Sequence, residues 1–172
     1  MIALFPHSGR YRKAVLRWKY QGIRRYAKGF ASLLVDELKV FETISIDLLI
    51  PVPLSPQRQR KRGFNQAKDL AAALGERTQI NVCDCLKRIR NTKPQAECTL
   101  EERRENIKGS IVYDNKNELE HINNVVIIDD IYTTGSTISE CIKILRKQFA
   151  FRDASIYAIV VNRGDFMHYR RE

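Results

Sequence analysis

Residues 125–137 read VVIIDDIYTTGST, and this stretch decides which fold class the chain belongs to. Its leading run of four apolar residues is typical of a strand buried on both faces of a parallel sheet. Two acids, Asp129 and Asp130, end that run, and hydroxyl-bearing residues follow around Gly135. Ligands of open parallel sheets bind beyond the carboxyl ends of the strands. The stretch therefore predicts a buried strand, a ligand-binding turn and a helix, in that order.

The turn after the acids has the chemistry of a phosphate site. Gly135 allows a tight turn, and the backbone N–H groups of residues 133–137 can then point into one concavity at the start of the helix. Carboxylates repel phosphate, but they accept hydrogen bonds from a vicinal diol. The predicted ligand is therefore a ribose 5-phosphate, with Asp129 and Asp130 on its hydroxyls. The predicted phosphate-binding residues are Thr133, Thr134, Gly135, Ser136 and Thr137.

Two further segments read as buried strands, IDLLIPVP at 46–53 and ASIYAIVV at 154–161. The spacing of apolar residues predicts helices at about 65–77 and 136–149, and two N-terminal helices that break near Gly22. The basic stretch that begins SPQRQRKR at Ser55 is predicted as a loop. Strands that alternate with helices imply right-handed crossovers. We therefore predict an α/β fold with a doubly wound, mainly parallel sheet and flanking helices.

The chain of 172 residues is long enough for one domain with a substantial core. Within residues 1–172 we expect a basic helical N-terminal segment at 1–40 and a flexible arm at 86–113. Short strands at 86–89 and 109–113 bound a polar stretch of the arm for which no buried face is expected. No apolar run approaches the roughly 20 residues that span a bilayer, and the N-terminus has the wrong charge order for a secretory signal. We expect a cytoplasmic protein with no membrane insertion.

Positive charge is concentrated in the N-terminal two-thirds of the chain. Residues 1–110 carry 22 Lys and Arg against 11 Asp and Glu, a net charge of +11, whereas residues 111–172 carry 8 against 9, a net charge of −1. Such a field attracts phosphates, whether on nucleic acid or on a small polyanion.

The N-terminal basic segment is a candidate nucleic-acid surface. Its predicted backbone-binding residues are Arg17, Lys19, Arg24 and Arg25, with Trp18 and Tyr20 among the aromatic residues that offer stacking faces to single-stranded DNA. The alternative is an amphipathic helix pair that packs on the sheet and has a basic outer face. His7, His121 and His168 are isolated in the sequence, and each is predicted to lie on the surface.

The stretch at 125–137 resembles the 5-phosphoribosyl-1-pyrophosphate (PRPP) binding motif of the type I phosphoribosyltransferases, in which hydrophobic residues and two acids precede T-G-x-T. The resemblance implies their fold, PRPP as ligand with Mg²⁺ as cofactor, and transfer of ribose 5-phosphate to a nitrogen acceptor with release of pyrophosphate. The implied catalytic residues are Asp129, Asp130 and Arg62. Departing pyrophosphate must be stabilised electrostatically. Its expected ligands lie in the basic loop and the arm: Arg60, Lys61, Arg62, Gly63 and Arg90.

Three segments extend the resemblance to the ComF competence-protein family. PVPLSPQRQRKRGFNQAKDLA at 51–71 resembles its P-x-P…R-G-F-N-Q signature, and LKRIRNTKPQAECTLEERRENIKGS at 86–110 resembles its R-x-x-x-T-x-x-Q…R-x-x-N-x-x-G arm. RKAVLRWKYQGIRRYAKGFASLL at 12–34 resembles its K-Y-x-G region. The family implies an alternative function, a non-catalytic role in handling single-stranded DNA during uptake, with competence-machinery proteins as partners.

The sequence departs from the ComF pattern at one place. Family members commonly begin with a four-cysteine zinc ribbon, and this sequence starts beyond the position of that ribbon. The cysteines at 83, 85, 98 and 141 do not rebuild it, because their spacing lacks paired Cys-x-x-Cys motifs. No metal-binding residues are therefore predicted in the chain itself.

Overall fold

The computed structural model describes residues 1–38, 44–92, 99–114, 119 and 121–164. The strands are β1 (Ile2–Pro6), β2 (Leu48–Pro51), β3 (Asn81–Val82), β4 (Leu86–Arg88), β5 (Ile111–Tyr113), β6 (Asn124–Tyr132) and β7 (Ser155–Arg163). Five of them pair in parallel as one sheet in the order β1-β7-β6-β2-β3, and β4 pairs antiparallel with β5. The predicted α/β class with a mainly parallel sheet is confirmed.

The helices are α1 (Gly9–Gln21), α2 (Arg25–Leu38), α3 (Pro56–Arg62), α4 (Gln66–Thr78), α5 (Leu100–Ile107) and α6 (Ser136–Leu145), with a 3₁₀ turn at Phe149–Phe151. None of the helices in these described ranges is long and apolar enough to cross a membrane.

Both faces of the central strand β6 are covered, as a doubly wound sheet requires. Val126 and Ile128 pack in one buried cluster with residues of α1, α2 and α4. Val125 and Ile127 point the other way and pack in a second cluster with residues of α6. Because successive side chains of a strand alternate between its faces, this continuous apolar run serves two cores at once.

The N-terminal segment folds as two helices, as predicted. Gly22 ends α1 in the left-handed region at φ 65°, which glycine adopts without strain. Trp18 is completely buried, and its ring centroid lies 5.5 Å from that of Phe30. Tyr20, two residues later, is 67% exposed. Trp18 is therefore a core residue and offers no stacking face to a nucleic acid.

The basic stretch predicted as a loop is instead helix α3. Ser55 accepts a hydrogen bond from the backbone N–H of Arg58, and Pro56 occupies the first turn, where its missing N–H costs nothing. The helix ends at Gly63, with φ 78°. Strand β1 was not predicted, and the last helix ends at Leu145, four residues before the predicted end.

The arm is partly packed rather than wholly without a buried face. Helix α5 begins with a capping box between Thr99 and Glu102, and it buries Ile107 in the core. The Gly109 backbone N–H donates to the Glu140 carboxylate of α6 at 2.8 Å. Residues 93–98 of the arm lie outside the described residues, and its flexibility stays a prediction.

Candidate functional site

A cleft of about 850 Å³ opens at the carboxyl ends of the parallel strands. His7 follows β1 on this edge, Val52 and Pro53 follow β2, and the acids lie near the end of β6. Residues of α1 and α3, of β4 and α5, and of the first turns of α4 and α6 complete the walls. The cleft lies where open parallel sheets bind ligands, and where the sequence predicted a site.

The acid pair lies inside this cleft and is held in a defined arrangement. Asp130 is 8% exposed, and its carboxylate lies 2.6 Å from the ammonium of Lys19. The Asp130 backbone N–H donates to Asp129 Oδ1 at 2.8 Å. Burial, and then the neighbouring charge of Asp130, raise the pKa of Asp129 to about 8, against the opposing effect of Lys19. The site therefore holds less negative charge near neutral pH than two ordinary carboxylates would.

The predicted phosphate-binding residues come together at the first turn of α6. Gly135 has φ 76°, and a Cβ there would lie 2.5 Å from the Tyr132 hydroxyl oxygen, so the turn requires glycine. Thr133 and Thr137 line the main cleft, while Gly135 and Ser136 line a small hollow beside it. Thr134 lines neither: its hydroxyl lies 2.8 Å from the Ser136 hydroxyl and caps the Ser136 N–H at 3.4 Å.

The basic wall of the cleft comes from α3 and from the arm. Arg58, Lys61 and Arg62 of α3 line it together with Arg88 and Arg103 of the arm. The Arg62 guanidinium donates to Gln66 Oε1 at 3.0 Å and lies 5.2 Å from the ring centroid of Tyr20. Of the five predicted pyrophosphate ligands, Lys61 and Arg62 therefore line the cleft. The other three do not: Arg60, Gly63 and Arg90.

Arg90 therefore differs from its neighbour in the arm. It donates to the backbone carbonyl of Lys108 at 2.8 Å, whereas the side chain that turns into the cleft is Arg88. Leu86 and Arg88 are buried on the inner face of β4, and Lys87 between them is exposed. Strand alternation thus places Arg88 on the inner face with Leu86, whereas Arg90, the arginine chosen from the sequence, lies beyond the end of β4.

Two buried donor atoms, on residues that line the cleft, have no hydrogen-bond partner among the described residues. They are Nε of Arg88, which is 7% exposed, and Nε2 of Gln66, which is 2% exposed. Burial and the nearby Arg58 lower the pKa of Arg88 to about 10, against the effect of Asp129. An unsatisfied buried donor costs roughly 1–3 kcal/mol. These two unpaired donors are therefore a local cost of the wall that Arg88 and Gln66 build.

The four predicted nucleic-acid residues divide between two environments. Lys19 lies in the cleft on Asp130, and Arg24 makes two hydrogen bonds of 2.7 Å to Asp69 while its guanidinium lies 5.5 Å from the Phe64 ring centroid. Asp69 raises the pKa of Arg24, first by hydrogen bonding and then by its charge. Arg17 and Arg25 are exposed.

His7 lines the cleft, so the prediction that it is an isolated surface residue is wrong. The amide nitrogen of Asn162 lies 3.1 Å from His7 Nδ1, and Asn162 is completely buried. The missed strand β1 explains the error, because its parallel pairing with β7 brings residue 7 beside residue 162. His121 is exposed, as predicted, and His168 lies outside the described residues.

No group of three or more His, Cys, Asp or Glu in the described part of the chain could hold a metal ion. The acid pair alone offers too few protein ligands for a resident ion. It does fit Mg²⁺ that arrives on a polyphosphate, because Mg²⁺ is commonly held by one or two carboxylates together with substrate phosphates.

Comparison with known proteins gives relatives among competence proteins. The chain is 34% identical to Competence protein F of Haemophilus influenzae over 139 residues, which are 77% of this chain and 60% of that protein. It is 29% identical to Competence protein ComFC of Streptococcus pneumoniae over 158 residues, 92% of this chain and 66% of that protein. The chain thus spans less than two thirds of the length of either relative. No protein-family model matches it.

A solved structure of adenine phosphoribosyltransferase has the same fold. It superposes with a TM-score of 0.53 and 15% sequence identity, covering 87% of this chain and 75% of the other. At that identity the likeness concerns the fold alone. With the competence relatives, it confirms the resemblance inferred from the sequence motifs.

Proposed function

We propose that this chain, which resembles the ComF competence proteins and has the phosphoribosyltransferase fold, binds PRPP with Mg²⁺ and transfers ribose 5-phosphate to a nitrogen acceptor. One observation carries the proposal. A carboxylate pair, Thr133 and Thr137 of the glycine turn, and a basic wall border a single cleft, and Gly135 lines the small hollow beside it. A ribose with phosphate groups at both ends needs each of these three parts.

Each part has a distinct role in the proposal. Asp129 and Asp130 accept hydrogen bonds from the ribose hydroxyls, and the turn at 133–137 binds the 5-phosphate through backbone N–H groups and hydroxyls. The pyrophosphate lies against Arg62 and Arg88, whose guanidiniums match phosphate oxygens in pairs. Mg²⁺, when bound, neutralises part of the charge of the pyrophosphate.

The proposed reaction exchanges one bond at C1 of the ribose for another. The C1–O bond to pyrophosphate breaks and its electron pair leaves with the oxygen, while the lone pair of the acceptor nitrogen forms the C1–N bond. The acceptor nitrogen then loses a proton to solvent or to a nearby base. Arg62 and Arg88 accelerate the step because their positive charge is fixed where negative charge develops.

Calorimetric titration with Mg²⁺ and PRPP tests the proposal. Wild type should bind, and the double variant Asp129→Asn, Asp130→Asn should lose binding. Asp153→Asn is the matched control, because Asp153 is an exposed acid on the same chain. Release of pyrophosphate from PRPP, measured with a panel of nitrogen nucleophiles, then separates transfer from binding. A wild type that binds no PRPP would contradict the proposal.

A second candidate function is the handling of single-stranded DNA in the cytoplasm during competence, together with other competence proteins. It is supported by the names of the relatives and by the exposure of Arg17, Arg25 and Tyr20 on the N-terminal helices. Fluorescence anisotropy of a labelled oligothymidine tests it. Arg17→Gln with Arg25→Gln should weaken binding and reduce its salt dependence, whereas the Asp129, Asp130 double variant should still bind.

A further inference from the structure

Helix α1 forms a wall of the cleft as well as an outer surface. Arg12, Leu16, Lys19 and Tyr20 all line the cleft. Their spacing of four, three and one residues places them on one side of the helix. The N-terminal segment, which the sequence suggested as a nucleic-acid surface, therefore contributes side chains to the site itself.

Lys19 is the residue of this wall that reaches the acid pair. Its ammonium nitrogen lies 2.6 Å from Asp130 Oδ2, and the two side chains are only 14% and 12% exposed. Asp130 in turn donates its backbone N–H to Asp129, so the three residues form one connected group. An ion pair removed from water in this way is costly to break, because the remaining partner would be a buried, uncompensated charge.

We propose that Lys19 is a positioning residue of the PRPP site, where its ammonium offsets the charge of the carboxylate pair so that an anionic ligand can bind beside it. This inference rests on the proposed function. PRPP carries phosphate groups on both sides of its ribose, and the negative charge of the acid pair repels them. Lys19 reduces that repulsion at its source and leaves carboxylate lone pairs for the ribose hydroxyls.

The chemistry of lysine suits this role. An ammonium has three donors on a flexible stem, so it can keep one hydrogen bond to Asp130 and direct another at a ligand oxygen. The planar fork of arginine has a different shape at the same charge, and Lys19→Arg should therefore restore binding only in part. Lys13, an exposed lysine on the same helix, is the matched control.

The first experiment is calorimetric titration of Mg²⁺ and PRPP into wild type, Lys19→Gln, Lys19→Arg and Lys13→Gln. Lys19→Gln should bind PRPP at least tenfold more weakly, Lys19→Arg should fall between it and wild type, and Lys13→Gln should match wild type. Thermal unfolding of each variant shows whether the variants are folded.

The second experiment needs no activity and uses the wild-type chain. Acetylation by a limiting amine reagent, followed residue by residue by mass spectrometry, should modify Lys19 at least tenfold more slowly than Lys13. Asp130→Asn should raise the labelling rate of Lys19 and leave that of Lys13 unchanged. Bound PRPP should slow the labelling of Lys19 further.

The outcomes separate the two proposals. If wild type and Lys19→Gln bind PRPP equally, the role of Lys19 is refuted while the proposed function stands. If Lys19 in wild type is acetylated as fast as Lys13, the ion pair does not persist in solution and the inference fails. If wild type binds no PRPP, the proposed function fails and this role of Lys19 fails with it, whatever the labelling shows.

Discussion

Asp129→Asn should stabilise the folded protein at neutral and alkaline pH while it removes a carboxylate of the proposed PRPP site. The pKa of Asp129 lies at about 8 in the folded state, against 3.8 for an ordinary aspartate, because burial and Asp130 disfavour its charge. The folded state therefore binds more protons than the unfolded state between these two values. Stability falls as the pH rises from about 4 to about 8, and the penalty is complete above that range.

The size of the effect follows from the same pKa values. At 1.36 kcal/mol per pKa unit, a change from 3.8 to about 8 sets an upper limit of roughly 6 kcal/mol. Local relaxation reduces this limit, and we expect about 2 kcal/mol of stabilisation at pH 8. Asparagine has the size of aspartate, and its amide oxygen can still accept the Asp130 N–H. At pH 4 the difference in unfolding free energy should be near zero.

Urea unfolding at pH 4, 6 and 8 measures this prediction, with Asp153→Asn as the control for loss of an exposed negative charge. The stability gained by Asp129→Asn should grow with pH, whereas the control should show little change. A gain that is the same at all three pH values would refute the reasoning, because it would show that the ionisation of Asp129 does not limit stability. A loss of stability at pH 8 would refute it as well.

Three further perturbations have defined outcomes. Gly135→Ala should lower the free energy of unfolding by about 1–2 kcal/mol and weaken PRPP binding, because φ is 76° and the new Cβ would lie 2.5 Å from the Tyr132 hydroxyl. Gly29→Ala in α2 is the control: open space surrounds Gly29, so this change should not destabilise the protein in urea unfolding. Arg88→Met should reduce PRPP affinity at least tenfold by calorimetry, and Arg90→Met should change it little. A larger loss of affinity in Arg90→Met than in Arg88→Met would show that Arg90, as predicted from the sequence, contacts the ligand. Arg24→Gln should cost about 0.5–1 kcal/mol of stability through the lost Asp69 pair and leave PRPP binding intact, and a loss of PRPP binding would show that Arg24 acts in the cleft.

The fold, and the position of the acid pair and the glycine turn beside the cleft, could be predicted because their signals are local in the sequence. The run at 125–128, the two acids and the glycine turn lie within 13 consecutive residues, and each has one physical meaning in an α/β sheet. The elements that were missed have weak local signals. Strand β1 has five residues and forms only because it pairs with β7, some 150 residues away in the chain. His7 could not be assigned to the cleft without that pairing.

The basic residues were harder to assign, because the sequence gives the charge of a residue but not its direction. Arg88 and Arg90 are two residues apart, but β4 ends at Arg88, so strand alternation no longer determines the direction of Arg90. Arg90 then turns back to the Lys108 carbonyl, and only Arg88 faces the cleft. The sequence LKRIRN at 86–91 contains no residue that signals the end of the strand at Arg88.

The sequence of helix α1 likewise does not show in which direction its lysine side chains point. Val15 and Trp18 form its buried stripe, which apolar periodicity can identify. Lys13 and Lys19 both lie off that stripe, and a helix of this composition has a basic face on either side of it. Which side meets Asp130 depends on how α1 crosses the sheet, and that crossing is fixed by the packing of Trp18 against Phe30 of α2. Lys19 is therefore a residue of the site by tertiary packing, although its sequence context is that of a charged surface.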